Sequence, residues 1–146
     1  LQGDMPIINP ETIKKVNTPL AQGFEIGTLI TNLSSAEEKN ENITKAKIDW
    51  IKKNNLGEAK DFYKKSKNEL HNIYHHVGIY SYRYESLEKF VGLKPSYNEV
   101  NNNLEQLRAL DANMKIGVTY VEGVPLSVDT KEDLLKVENI INISNE

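Results

Sequence analysis

Two acids at opposite ends of the chain, Asp4 in LQGD and Asp129 in VDTKED, are of a type and placement that could do chemistry. Carboxylates delivered to one point from remote loops can hold Mg2+ as it bridges phosphate oxygens, because that ion takes one or two carboxylates and leaves its other positions to water and substrate. The plainer alternative is that Asp129 caps the last helix and Asp4 closes a turn, which is the commoner employment of such residues. Spacing alone leaves both readings open.

A second group lies in HHVGIY, where His75 and His76 are neighbours on an expected strand and so face opposite sides. Only one of them can face a site, and Tyr80, four residues beyond His76, shares its side. A strand histidine beside a tyrosine is more often a packed or surface residue; the functional alternative is a ligand contact. The third group is LEQLR, whose leucines suit a core stripe while Glu105, Gln106 and Arg108 lie off it. Glu105 and Arg108 can pair along a helix. Glu105 and Gln106 form either a solvated face or a grip on sugar hydroxyls.

Other chemistries are excluded or lose support. The chain has no GxGxxG after a strand, no P-loop, no GxSxG elbow and no HExxH. It has no cysteine, so disulfides, thiolate metal sites and a cysteine nucleophile are ruled out. A net charge of −3 with scattered lysines offers no basic face, and no nucleic-acid partner is expected. Apolar runs fall well short of the roughly 20 residues that span a bilayer, and no signal-peptide pattern leads the chain; a cytoplasmic protein without membrane insertion is expected. Arg83 and Arg108 are the only arginines among 18 basic residues.

These groups need elements to position them. At 146 residues and 38% hydrophobic, the chain suits a single domain over 1–146. NPETIKK predicts a helix with Asn9 as N-cap, Pro10 in its first turn and Glu11 near the positive end of the dipole; Pro19 ends or kinks it. IGTLIT predicts a buried strand. From Ser34 to Leu70 the chain is polar and Lys-rich, with a strand at KAKIDWI and a turn at NNLG; within it, 39–70 is expected to be a variable, insert-like segment. NIYHHVGIYSYRY predicts a long central strand, and ESLEKFVGL a short helix. SYNEVNNNLEQLRAL predicts one helix, opened by a Ser96/Glu99 capping box and carrying a stripe of Val100, Leu104, Leu107 and Leu110. KIGVTYVE predicts another strand, and Thr130 with Asp133 starts a last helix.

Strands alternating with helices predict an α/β fold whose sheet is mostly parallel, or mixed, and flanked by helices. In such sheets ligands lie beyond the C-terminal ends of the strands. Asp4, the tail of the Tyr-rich strand and Asp129 would gather there.

In order and spacing, LQGDMP, HHVGIYSYR, LEQLRAL and VDTKEDL resemble the CMP-Kdo synthetases, the 3-deoxy-manno-octulosonate (Kdo) cytidylyltransferases of lipopolysaccharide synthesis. The resemblance covers most of the chain, best from Tyr74 to Val137. In that family a nucleotide-binding portion precedes the QGD segment, so the expectation is the C-terminal part of a nucleotidyltransferase, Rossmann-like, lacking its N-terminal part. Three positions depart from the family's pattern. Met5 stands where Glu is usual, SVDTKED replaces GVDTPED, and DFYKKS replaces a YFSR segment, putting Lys64 in place of an arginine that helps hold substrate. A lysine is a point charge without arginine's bidentate fork.

The resemblance implies attack by the anomeric hydroxyl of Kdo on the α-phosphate of CTP, with release of pyrophosphate and assistance from Mg2+. It implies that Asp4 and Asp129 bind the metal, that Gln2, His76, Tyr80, Glu105 and Gln106 contact the sugar acid with Lys64 beside them, and that the enzyme is a homodimer. Alternatives are a cytidylyltransferase for another acidic sugar, such as sialic acid or an amino-substituted Kdo, and a non-catalytic dimerising remnant of such an enzyme.

Overall fold

The computed structural model describes residues 4–65, 67, 71–128 and 130–144. Helix α1 (Pro10–Val16) starts where the Asn9 side chain accepts from the Glu11 N–H at 2.8 Å, and α2 (Thr18–Ala21) follows at once, with Pro19 inside its first turn. Strand β1 (Ile26–Thr31) is buried over its whole length. A short α3 (Ser35–Glu38), closed by a Ser34/Glu37 capping box, leads to the hairpin of β2 (Lys45–Lys52) and β3 (Leu56–Tyr63). Asn54 turns that hairpin at φ 61°, a left-handed conformation asparagine tolerates better than most residues. Then come β4 (Ile73–Tyr82), α4 (Tyr84–Gly92), α5 (Tyr97–Asn102), α6 (Gln106–Asp111), β5 (Ile116–Tyr120) and α7 (Lys131–Ser144).

The strands close into a barrel in the order β1-β4-β2-β3-β5, with β5 returning to β1. Of the five pairings only β1 with β5 is parallel; β1–β4, β4–β2, β2–β3 and β3–β5 are all antiparallel. This overturns the expected mostly parallel, Rossmann-like sheet. The cause is β3. LGEAKDFY reads as polar, yet Leu56, Gly57, Ala59, Phe62 and Tyr63 are buried, and a tight turn forces it antiparallel to β2. A second hairpin strand thus stands where strand–helix alternation called for a crossover.

Apolar side chains gather into two clusters. The larger includes Ile26, Ile30, Ile48, Phe62, Leu107 and Ile116; the smaller joins Leu29, Val77 and Ile79 with Met5, Val16 and Val121. Alternation along β1 thus sends Ile26 and Ile30 one way and Leu29 the other. Gly27 and Gly117 are partners across β1 and β5. A Cβ on Gly27 would lie 2.3 Å from the Val16 carbonyl oxygen and one on Gly117 2.4 Å from Pro19 Cβ, so the bare seam lets α1 and α2 lie against the sheet.

The single helix expected over SYNEVNNNLEQLRAL is two. Asn103 takes a left-handed conformation at φ 51° and ends α5, so Val100 is exposed while Leu104 and Leu107 reach the core. Thr130 and Asp133 form a reciprocal cap at the start of α7. No helix among the described residues is long and apolar enough to cross a membrane.

Candidate functional site

The site begins at an irregularity in the β1–β4 seam. Pairing runs from Ile26↔Tyr82 to Thr28↔Tyr80 and then jumps to Leu29↔Val77, which makes Gly78 and Ile79 the extra residues of a bulge in β4. Because two residues are inserted, side-chain alternation survives. His76, Gly78, Tyr80 and Tyr82 all line one cavity of about 290 Å3, together with Thr44, Phe90, Leu104, Glu105 and Gln106. At Gly78 the wall is bare backbone, since a Cβ there would meet nothing within 4 Å.

Four residues singled out in the sequence, His76, Tyr80, Glu105 and Gln106, therefore converge on one cavity from β4 and the start of α6. An aromatic row backs it: the rings of Phe62 and His76 are 4.9 Å apart, His76 and Tyr80 5.4 Å, Tyr80 and Tyr82 6.2 Å, Tyr82 and Phe90 5.8 Å. His75 points elsewhere, as the alternation requires, and its Nδ1 meets Glu37 Oε1 at 2.9 Å.

Burial sets the protonation of this row. It pushes the His76 imidazole down to about 3, with the neighbouring His75 a lesser cause, so the ring is neutral at neutral pH. It raises the Tyr80 phenol well above its ordinary value, helped by Tyr82 and Glu105, and raises Tyr82 similarly. Both phenols keep their protons. The Thr28 hydroxyl, fully buried on β1, lies 3.0 Å from His76 Nε2.

Helix α6 is anchored from behind. Arg108 donates from Nε and Nη2 to the two carboxylate oxygens of Glu99, lies 5.2 Å over the Phe90 ring, and reaches Glu105 at only 3.7 Å. Behind the other wall the buried Lys45 donates to the carbonyls of Asn40 and Lys64 at 2.5 and 2.6 Å, tying down the loop that leads to Thr44.

The remaining expected residues lie elsewhere. Lys64 follows β3 and is not among the residues lining this cavity. Gln2 and Asp129 lie outside the described residues. Asp4 sits in a turn, its carbonyl accepting from the Val128 N–H at 2.8 Å, and Val128 directly precedes Asp129 in sequence. Asp4 Oδ1 is buried with no hydrogen-bond partner among the described residues. A carboxyl oxygen left that way suits a hard cation, which binds oxygen and needs only one or two carboxylates. Among the described residues no group of three or more metal-binding side chains occurs.

Sequence reasoning missed Thr28, Thr44 and Tyr82. The available signal was a hydroxyl residue inside the apolar run IGTLIT and the period of two linking Tyr80 to Tyr82. The cavity mixes hydroxyl, amide and carboxylate groups with aromatic faces and holds no activated nucleophile. Its capacity is to bind and orient a polyhydroxylated ligand, at the lower end of the about 300–1,000 Å3 of small-ligand clefts. A larger cavity of about 450 Å3 between β3 and α5–α6 contains none of the expected residues, and its Lys67 is already paired with Asp61 at 2.5 Å.

A cytidylyltransferase family model matches residues 1–116. The chain is 38% identical over 144 residues to a 3-deoxy-manno-octulosonate cytidylyltransferase of Paramagnetospirillum magneticum, spanning 97% of this chain and 58% of that protein. It is 41% identical over 145 residues to the protein of the same name from Bartonella tribocorum, spanning 97% and 59%. A solved structure described as CMP:2-keto-3-deoxy-manno-octonic acid synthetase complexed with CTP matches with a TM-score of 0.86 at 27% identity, covering 99% of this chain and 61% of that one. The chain thus spans about three-fifths of the length of these relatives.

Proposed function

Because this chain belongs to the cytidylyltransferase family, we propose that it serves the transfer of a cytidylyl group from CTP to Kdo, giving CMP-Kdo and pyrophosphate. The observation that carries this reading is the convergence of His76, Tyr80, Glu105 and Gln106 on one sugar-sized cavity. The relatives named for this reaction support it.

In this reading those four side chains contact the sugar acid, and Gln2 joins them. They hold the anomeric hydroxyl in line with the α-phosphate, and such positioning supplies a large part of the acceleration in phosphoryl-type transfer. The aromatic row, buried at Phe62, His76 and Phe90 and half-buried at Tyr80 and Tyr82, shields the bound sugar from water, and the two protonated phenols remain neutral hydrogen-bonding groups beside it. Asp4 and Asp129 would hold Mg2+, which when bound neutralises charge building on phosphate oxygens; the orphaned Asp4 Oδ1 fits that role. Lys64, which follows β3 outside the lining of this cavity, stands in this reading where the family's substrate-holding arginine falls. As the sequence resemblance implies, the enzyme is a homodimer in lipopolysaccharide synthesis.

The test is pyrophosphate release with CTP, Mg2+ and Kdo, run beside an Asp129→Ala variant and with sialic acid as a competing acceptor. Release that disappears in the variant and prefers Kdo is expected. A preference for sialic acid would replace the acceptor, and absence of both release and Kdo binding would overturn the reading.

A further inference from the structure

The Thr28 hydroxyl meets three partners: the Ile79 carbonyl at 2.8 Å, the Val77 carbonyl at 3.3 Å and His76 Nε2 at 3.0 Å. A hydroxyl has one proton to give. Carbonyls only accept, and the nearer, on Ile79, takes that proton. What remains for His76 is an oxygen lone pair, so the imidazole must be the donor in that contact and carries its proton on Nε2.

The ring is neutral, so it has one proton and its other nitrogen is bare. Nδ1 has no hydrogen-bond partner among the described residues, on a side chain that lines the cavity. The bulge makes the arrangement possible: by inserting Gly78 and Ile79 it leaves β4 carbonyls for Thr28 to cap, and capping them commits the hydroxyl as a donor.

We propose that Thr28 is a positioning residue that fixes the tautomer of His76, so that the imidazole offers the cavity only an acceptor and reads a hydroxyl of the ligand. The proposal takes its ligand from the cytidylyltransfer reading above. It adds an orientation. A carboxylate has no proton to give an acceptor nitrogen, and Glu105 on the same cavity repels it, so the hydroxyl-bearing end of the sugar acid lies at His76 and its carboxylate points away. A buried donor–acceptor match of this kind discriminates strongly, because the wrong partner leaves a desolvated group unpaired.

The experiment is 15N NMR of the imidazole nitrogens in the native chain and in Thr28→Ser and Thr28→Val, with and without 3-deoxy-manno-octulosonate. In the native protein and Thr28→Ser, His76 shows the Nε2–H tautomer, and Nδ1 moves upfield when the sugar acid binds. Thr28→Val spreads the proton over both nitrogens and weakens binding about tenfold, with serine restoring most of the loss. A proton found on Nδ1 in the native protein overturns the proposal, as does a Thr28→Val protein that keeps the native tautomer and affinity. Should Thr28→Val fail to fold, the native tautomer and the Nδ1 response decide. A native Nε2–H signature lost in Thr28→Val, with no response to the sugar acid, upholds the role of Thr28 and sinks Kdo as the ligand.

Discussion

Arg108 grips Glu99 with two hydrogen bonds, Nε to Oε2 at 2.8 Å and Nη2 to Oε1 at 2.5 Å, and thereby locks α6 to α5 across the left-handed Asn103. Glu99 also accepts from the Ser96 N–H at 3.0 Å. One carboxylate thus caps one helix and orients the next, whose first turn carries Gln106 and is preceded by Glu105.

Replacing the fork with a point charge tests this latch. Arg108→Lys is expected to cost about 1–2 kcal/mol in thermal or denaturant unfolding and to weaken sugar-acid binding through looser placement of Glu105 and Gln106. The hydrogen bonds from Arg108 hold the Glu99 carboxyl below its ordinary value. That contribution to stability is whole above about pH 4.5 and is lost as pH falls through the lowered native value. Arg108→Met should flatten this acid limb; an unchanged limb would show that the pair is idle.

His76 acts at higher pH. Its imidazole titrates near 3 in the folded protein against an ordinary 6.5, so between these values the unfolded chain binds a proton that the folded one refuses. Stability must fall as pH drops through that window, with a slope approaching about 1.4 kcal/mol per pH unit. Between pH 6.5 and 4.5, before the carboxylates contribute, His76→Gln should remove most of the slope in urea titrations. A profile identical to the native one would mean that the ring is hydrated.

For Asp4 the expectation separates stability from activity. Its Oδ1 is buried without a partner among the described residues, so Asp4→Ala removes a poorly satisfied acceptor and should leave the melting temperature equal or higher without Mg2+. Pyrophosphate release should drop by at least about a hundredfold, on the scale of losing a group that stabilises developing charge. A variant that melts earlier yet keeps its Mg2+ dependence would assign Asp4 to structure.

Two glycines should answer oppositely to alanine. Gly27→Ala drives a methyl into the Val16 carbonyl at 2.3 Å and should cost about 1–3 kcal/mol. Gly78→Ala meets open space, should leave stability within about 0.5 kcal/mol, and should reduce ligand affinity by filling the cavity. Calorimetric melts and ligand titration on both variants separate scaffold from site.

How much of this was legible follows from where local signals agreed with tertiary ones. Asn9–Pro10, IGTLIT and the Tyr-rich β4 were plain because cap chemistry and β-branched runs act locally. LGEAKDFY was hidden because Glu58 and Asp61 stay partly exposed and Lys60 exposed between buried neighbours, and missing that strand turned an antiparallel barrel into an expected parallel sheet. The Asn101–Asn103 run hid a helix break that needed a single positive φ. At the site, His76 and Tyr80 were readable from strand alternation, while Thr28 was not. Its role depends on a bulge in a strand 48 residues away, which no spacing within β1 encodes.

Closure of the barrel also bears on the nascent chain. Among the described residues every strand has a hydrogen-bonded neighbour on each side, which shortens the open ladder on which a second molecule could template aggregation. That protection arrives late, because β1 finds its parallel partner only when residues 116–120 have been made. Until then β1 lacks its second neighbour, and β3 lacks its pairing at Gly57 and Glu58. A chain halted within α6 would leave β1 open to cross-pairing, and the five residues of β5 are what close that edge.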